Sequence, residues 1–272
     1  MSSLNQNGIQ INKYISNSGF CSRREADKLI EQGRVTINGK IALVTNRVSE
    51  NDRVAIDDER IKTVKKENVY LAFNKPVGIT CTTDEKDKTN IISFINYPKR
   101  IFPIGRLDKD SEGLILLTDD GDIVNKVLRS ENENEKEYVV VVDKEITEDF
   151  LNQMKSGVPI LDTITKPCKI KKDSNKKFRI TLTQGLNRQI RRMCHQLGYE
   201  VTSLRRVRIM HIQLGELKIG KWRKLLPAEI DKLNQLIKHQ TAAPIKAKPI
   251  NPKTQKPFFY PKNKSIKKAT RK

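Results

Sequence analysis

A polar run, DDERIKTVKKEN at 57–68, separates two stretches of chain whose apolar residues follow different periods. Before it, Ile11, Tyr14 and Ile15 recur at helical spacing, and Ser18-Gly19 stops that turn. Ser22 and Glu25 have the spacing of a capping box. In that motif a hydroxyl accepts a backbone N–H at the helix start and a carboxylate reaches back. The spacing predicts a helix over Arg23–Gln32, with Ala26, Leu29 and Ile30 inward and Gly33 ending it. Val35 and Ile37 then alternate as a strand, and Asn38-Gly39 predicts a tight hairpin returning through Ile41. Residues 9–56 thus read as one small module and 57–68 as a linker.

From Val69 the pattern becomes alternating strands and helices. VYLAF (69–73), GLILL (113–117) and EYVVVVD (137–143) read as strands, the last rich in β-branched residues. A helix is expected over roughly 120–129, and another from the Thr147 cap to Lys155, closed by Gly157. CKIKK and FRITLT add strands, and Arg188–Leu197 reads as a helix stopped by Gly198. VTSLRRVRI, HIQL and a helix over Pro227–His239 complete a domain at 69–240. The fold class is α+β, flanking helices around a largely antiparallel sheet.

The chain carries 53 Lys+Arg against 32 Asp+Glu, a formal charge of +21. Such an excess points to a polyanionic partner, most simply nucleic acid. Ten of those cations, with five prolines and no acid, lie in residues 241–272, which are expected to form a disordered basic arm. Eleven more lie between Arg179 and Lys224, inside a well-patterned region, where they mark a specific binding face. In the small module, Arg23, Arg24, Lys28, Arg34 and Lys40 are candidates for one positive face.

Cys21, Cys81, Cys168 and Cys194 lie far apart, with no CxxC pair, and the histidines have no HxxxH spacing. Neither a zinc site nor a disulfide framework is expected. No apolar run approaches the roughly 18 residues of a membrane helix. The N-terminus lacks a signal-type apolar stretch, so a cytosolic protein is expected. No stripe of surface apolar residues argues for an oligomer, and a monomer is expected. The GxxxxGK[ST] loop and a post-strand GxGxxG are both missing from the sequence, which disfavours nucleotide-driven enzymes.

Three segments offer chemistry. In FPIGRLDKDSEGLILLTDDGD (102–122), Asp108 sits on a loop beside a strand, flanked by Arg106 and Lys109. Neighbouring cations favour its carboxylate form. It is either a nucleophile or base, or an ordinary loop carboxylate. In TQGLNRQIRRMCHQLGYEV (183–201), Arg188 shares a helix face with Arg191 and Arg192. One of them turned inward would need a buried anion; otherwise the helix grips phosphates. Tyr138, at a strand start, offers either a stacking ring or plain core.

GRLDKDSEGLILLTDDG, NKPVGIT (74–80), EKEY (135–138) and GLNRQIRRM (185–193) together resemble the RsuA-type RNA pseudouridine synthases. The N-terminal module resembles the αL RNA-binding domain shared with a small-subunit ribosomal protein. The resemblance runs from about Ile9 to His239, with the motifs in family order. It implies a mixed sheet divided by an active-site cleft, and isomerisation of a specific uridine to pseudouridine without metal, nucleotide or other cofactor. The family nucleophile falls on Asp108, the pocket tyrosine on Tyr138, and the basic partner of the carboxylate on Arg191. An apolar pocket position falls on Leu204. Lys75, with Pro76, matches a motif thought to be mainly structural. Lys75, Arg106, Arg188 and Arg192 are carried as RNA-binding candidates. The closest subgroup acts on 23S rRNA at the 2604-type site, carries a Lys/Pro-rich tail, and has a tRNA anticodon loop as a second candidate target. The competing reading is a non-catalytic RNA-binding assembly factor that keeps the fold.

Overall fold

The structure is a computed structural model that describes residues 8–61, 67–128 and 133–242. The N-terminal module contains β1 (Ile9–Gln10), α1 (Ile11–Asn17), α2 (Arg23–Glu31), β2 (Val35–Ile37), β3 (Lys40–Ile41), β4 (Arg47–Val48), β5 (Val54–Ile56) and β6 (Glu59–Ile61). The capping box forms at α2: Glu25 N–H donates to Ser22 Oγ at 3.2 Å, and Ser22 N–H to Glu25 Oε2 at 2.7 Å. Asn38 and Gly39 both take positive φ, 52° and 78°, the geometry of the short hairpin turn that joins β2 to β3. Ile11, Ile15, Ala26, Ile30, Val35, Val54 and Ile56 form the core.

The linker is shorter than its polarity suggested. Asp57 and Asp58, at φ 47° and 64°, make a second tight turn, and β6 pairs antiparallel with β5. An edge strand with little burial can be polar throughout, so composition alone reads it as loop. Only Ile61 of β6 packs on the core. Residues 62–66 of the expected linker and 243–272 of the expected basic arm lie outside the described residues.

The second domain contains β7 (Tyr70–Lys75), α3 (Ile91–Ile95), β8 (Phe102–Ile104), β9 (Glu112–Thr118), α4 (Gly121–Leu128), β10 (Lys136–Val142), α5 (Glu148–Ser156), β11 (Pro159–Ile160), β12 (Thr163–Ile164), β13 (Lys169–Ser174), β14 (Lys177–Leu182), α6 (Gln189–Gln196), β15 (Val201–Ile209), β16 (Ile212–Gln213), β17 (Trp222–Lys224) and α7 (Pro227–Ala242). The main sheet has the order β13-β14-β10-β15-β9-β7-β17, with β16 beside β15 and β8 beside β9. β15 and β9 run parallel; the other neighbours run antiparallel.

That parallel contact is a seam only two residue pairs long, Arg205 with Glu112 and Arg206 with Gly113. Gly113 makes it possible. Its φ is 106°, and a Cβ there would lie 2.2 Å from the Arg206 carbonyl oxygen. On one side of the seam α5 and α6 bury Phe150, Met154 and Met193 against Val140 and Phe178. On the other, α4 and α7 bury Ile123, Val127, Leu233 and Ile237 against Leu114 and Leu116. α3 closes the opposite face, with Ile91 against Phe73 and Leu117. The two cores leave a cleft where the strands part.

Candidate active site

The loop between β8 and β9 carries Asp108 and is pinned from several sides. Leu107 is buried in the α3 core, and its N–H donates to Cys81 Sγ at 3.3 Å. The Lys109 carbonyl accepts from Gly78 N–H at 2.7 Å, and the Asp108 carbonyl from Ser111 N–H at 3.0 Å. Gly105, at φ 85°, passes close to Leu128; a Cβ would come within 2.8 Å of its Cδ2. The carboxylate of Asp108, about a third exposed, is thus held at the wall of a cleft of about 670 Å³. Tyr138, Leu204, Arg188, Arg206 and Lys136 line the same cleft.

The expected Asp108–Arg191 pair is absent, and Arg188 takes the place nearest the carboxylate. Its Nη1 lies 3.8 Å from Asp108 Oδ2. Arg188 is the N-cap of α6 rather than its first helical residue, at φ 49°, and its guanidinium grips Asp110 through two 2.9 Å hydrogen bonds. Arg191, within the helix, donates Nη1 to the Val201 carbonyl at 3.0 Å and Nη2 to the Asp110 carbonyl at 2.8 Å. Its Nε is 3.3 Å from Asp110 Oδ2. The Arg188 hydrogen bonds, with the Arg191 charge, hold the Asp110 carboxyl below the usual carboxylate range. Asp110 went unremarked in the sequence, although it stands two residues past Asp108 in the same loop.

Lys75 does not face RNA. It is fully buried, with Nζ donating to the Pro76 carbonyl at 2.9 Å and the Ile79 carbonyl at 2.8 Å. Burial pushes its ammonium down, opposed by the charges of Asp110 and Asp108. It is a brace under the Asp108 loop. Arg106 is exposed at the cleft. Arg192 is exposed and turns back to Asn187, Nε to the carbonyl at 3.1 Å. In the N-terminal module Arg23, Arg24, Lys28, Arg34 and Lys40 are all exposed. Arg34, however, is paired with Asp57 through Nε at 2.8 Å and through Nη2, so its charge is already met.

Tyr138 faces Arg206 across the β10–β15 pair, with the guanidinium 6.0 Å from the ring centroid. It packs against both the α5–α6 core and the α3 core. Leu204 is buried at the cleft wall. Two wall cations were missed in the sequence. Arg206 is 4% exposed; Nε donates to the Leu114 carbonyl at 2.7 Å, and Nη2 has no partner among the described residues. Lys136 stands two residues before Tyr138, so strand alternation puts both on one face. Burial, with the nearby Arg206 charge, pushes its ammonium down to about 8. Among the described residues, no cluster of His, Cys, Asp and Glu is arranged to hold a metal, and no helix is long and apolar enough to cross a membrane.

A carboxylate, a stacking ring and cations around one cleft, beside a small basic module, define an RNA-modifying enzyme. Residues 69–196 match the RNA pseudouridylate synthase family model, and residues 11–63 match the S4 domain, a span that includes β6. The chain is 53% identical over 240 residues to the dual-specificity RNA pseudouridine synthase RluF of Escherichia coli (strain K12), covering 88% of this chain and 83% of that protein. It is 34% identical over 239 residues to the ribosomal large subunit pseudouridine synthase B of Bacillus subtilis (strain 168), covering 85% and 97%. A crystal structure of a pseudouridylate synthase superimposes with a TM-score of 0.62 at 32% identity, covering 83% of this chain and 99% of that one. The chain belongs to the RsuA-type RNA pseudouridine synthase family, and its activity is isomerisation of uridine in RNA.

Proposed function

We propose that the uridine lies in 23S ribosomal RNA, at the 2604-type site, that a tRNA anticodon loop is a second substrate, and that Asp108 carries the chemistry. The reading rests on Asp108 and Tyr138 sharing one cleft, with the Arg188 guanidinium 3.8 Å from the carboxylate. The relatives support the substrates: one is named for dual specificity, the other for the large ribosomal subunit. The enzyme acts as a cytoplasmic monomer.

The reaction breaks the bond from ribose C1′ to base N1, turns the base, and rejoins C1′ to C5. Atoms and electrons are conserved, so the chemistry calls for no cofactor. A stacked base cannot turn, and flipping it out costs a few kcal/mol, least where the RNA is unpaired. Stacking on Tyr138 returns about 1–3 kcal/mol. The Arg188 charge, held 3.8 Å from Asp108 by Asp110, favours the ionised Asp108 carboxylate before substrate arrives. Asp108 then attacks the sugar, attacks the base, or removes a sugar proton; all three fit one carboxylate at the cleft wall.

Asp108→Asn keeps size and hydrogen bonding but removes the charge. It is expected to bind 23S rRNA fragments within about threefold of the parent and to form no pseudouridine. Normal turnover by this variant would take Asp108 out of the mechanism and leave an RNA-binding role for the loop. Mapping pseudouridine in rRNA and tRNA from a strain lacking the gene tests the targets.

A further inference from the structure

The two long central strands treat their cations differently on their two faces. On one face the arginines stand against carboxylates, Arg205 only at 4.0 Å from Glu112, and they are joined by Arg179 of the neighbouring β14. Arg208 donates Nε to Glu137 at 2.9 Å and Nη2 to Glu135 at 3.1 Å, and Arg179 donates Nε to Asp173 at 3.0 Å. On the cleft face, Lys136 and Arg206 have no carboxylate among the described residues: their hydrogen bonds go to backbone carbonyls, and Arg206 also faces the Tyr138 ring. Lys136 Nζ donates to the Asn134 carbonyl at 3.0 Å, and Arg206 donates to those of Leu114 and Arg106. Arg206 is buried and Lys136 partly so; a desolvated cation without a counter-charge is costly, and Arg206 also leaves a buried donor unmet. The missing anion therefore comes with the substrate.

Building on the reading of this cleft as the site of uridine isomerisation, we propose that Lys136 and Arg206 stabilise the negative charge that appears on the base when its bond to ribose breaks. When N1–C1′ breaks, the electron pair stays on N1 and spreads to the carbonyl oxygens of the uracil ring. The sugar either bonds to the Asp108 carboxylate or gives it the C2′ proton. C5 then bonds to C1′ as the carboxylate leaves, or as the proton returns to C2′. C5 loses its proton and N1 gains one, which restores the neutral base. If Asp108 instead adds to C6, the C5=C6 electron pair moves onto the exocyclic carbonyl oxygen O4, and the bond to C6 breaks again when the carboxylate leaves. On every route the base is more negative at the barrier than when bound, and donors aimed at that charge accelerate the step. The surrounding Ile104, Leu182, Ile190 and Leu204 keep the local dielectric low, so two cations there count for more than on the surface. Backbone phosphates remain outside with the strand, where Arg106, Arg188 and Lys166 are exposed.

The test is single-turnover pseudouridine formation at saturating RNA, with the affinity for RNA measured separately over a salt series. Lys136→Met and Lys136→Gln are expected to lose about 100-fold in rate, as for loss of an oxyanion donor, with affinity within about threefold and an unchanged salt slope. Lys136→Arg is expected to recover at least tenfold of that loss. A full rate at saturation, with weakened binding and a salt slope smaller by about one, would make Lys136 a phosphate contact and overturn the proposal. If the Met variant fails to fold, the Gln variant, which keeps a donor to the Asn134 carbonyl, carries the test. Acylation of the wild-type lysines with and without substrate RNA needs no variant at all: protection of Lys136 is expected, and equal labelling would overturn the assignment. A wild-type protein that makes no pseudouridine would instead sink the proposed substrate.

Discussion

Asp110 organises the arginines around Asp108 without lining the cleft itself. It fixes Arg188 by two hydrogen bonds and draws in Arg191 through its carbonyl. Asp110→Asn should therefore release Arg188 from its orientation beside Asp108 and lower kcat about tenfold, with RNA affinity little changed. It should also alter stability with a definite pH sign. The folded-state pKa of Asp110 lies below its ordinary value of 3.8. The pairing's contribution is therefore complete above that value and vanishes as pH falls below it. For a side chain nearly half exposed the effect is about 1 kcal/mol or less. The wild-type advantage over Asp110→Asn in urea midpoint should be full at pH 6 and shrink as the pH is lowered below 3.8, through the depressed folded-state value. A gap that persists into acid would deny the ion pair. That Asp108 and Tyr138 are candidates for one site was legible because they stand in motifs, and both line the cleft. The choice between Arg188 and Arg191 was not, because helical spacing says nothing about an N-cap at positive φ whose side chain leaves the helix face.

Elements defined by local rules were read closely. The α2 capping box, the Asn38-Gly39 turn and the Thr147–Gly157 limits of α5 all need only neighbours in sequence. β8, β17 and α3 were not read, since strands of three residues and a five-residue helix owe their existence to partners far along the chain. Lys136, Tyr138 and Arg206 met across β10 and β15 for the same reason: alternation places residues on a face, but register across strands is a tertiary fact. Gly113 tests the seam directly. Gly113→Ala puts a methyl against the Arg206 backbone and forces a residue with a Cβ to φ 106°. A loss of about 3 kcal/mol or more is expected, since overpacking and backbone strain add. The readout is a lower denaturant midpoint at unchanged m, and wild-type stability would mean the strands part there at little cost.

Across the whole molecule, the two domains touch through a Lys13–Asp122 ion pair at 2.6 Å and an Arg100 Nη1 hydrogen bond to the Cys21 carbonyl at 3.0 Å. The order small module, then α+β domain, then basic segment was legible from pattern and charge. The boundary was not, because a polar edge strand and a linker share a composition. Charge predicts one further behaviour. Residues 241–272 hold ten cations and no acid, so their deletion should flatten the salt dependence of RNA binding while leaving turnover at saturating RNA intact. An unchanged slope would make that segment inert in binding. The seam between β9 and β15 has a consequence for synthesis. Gly113 and Arg206 meet across more than half of the second domain's sequence, so the Asp108 loop emerges from the ribosome long before the strand that completes its cleft. A nascent chain halted before β15 holds Asp108 without the wall that β15 supplies, and the cleft is complete only as the last strands are translated.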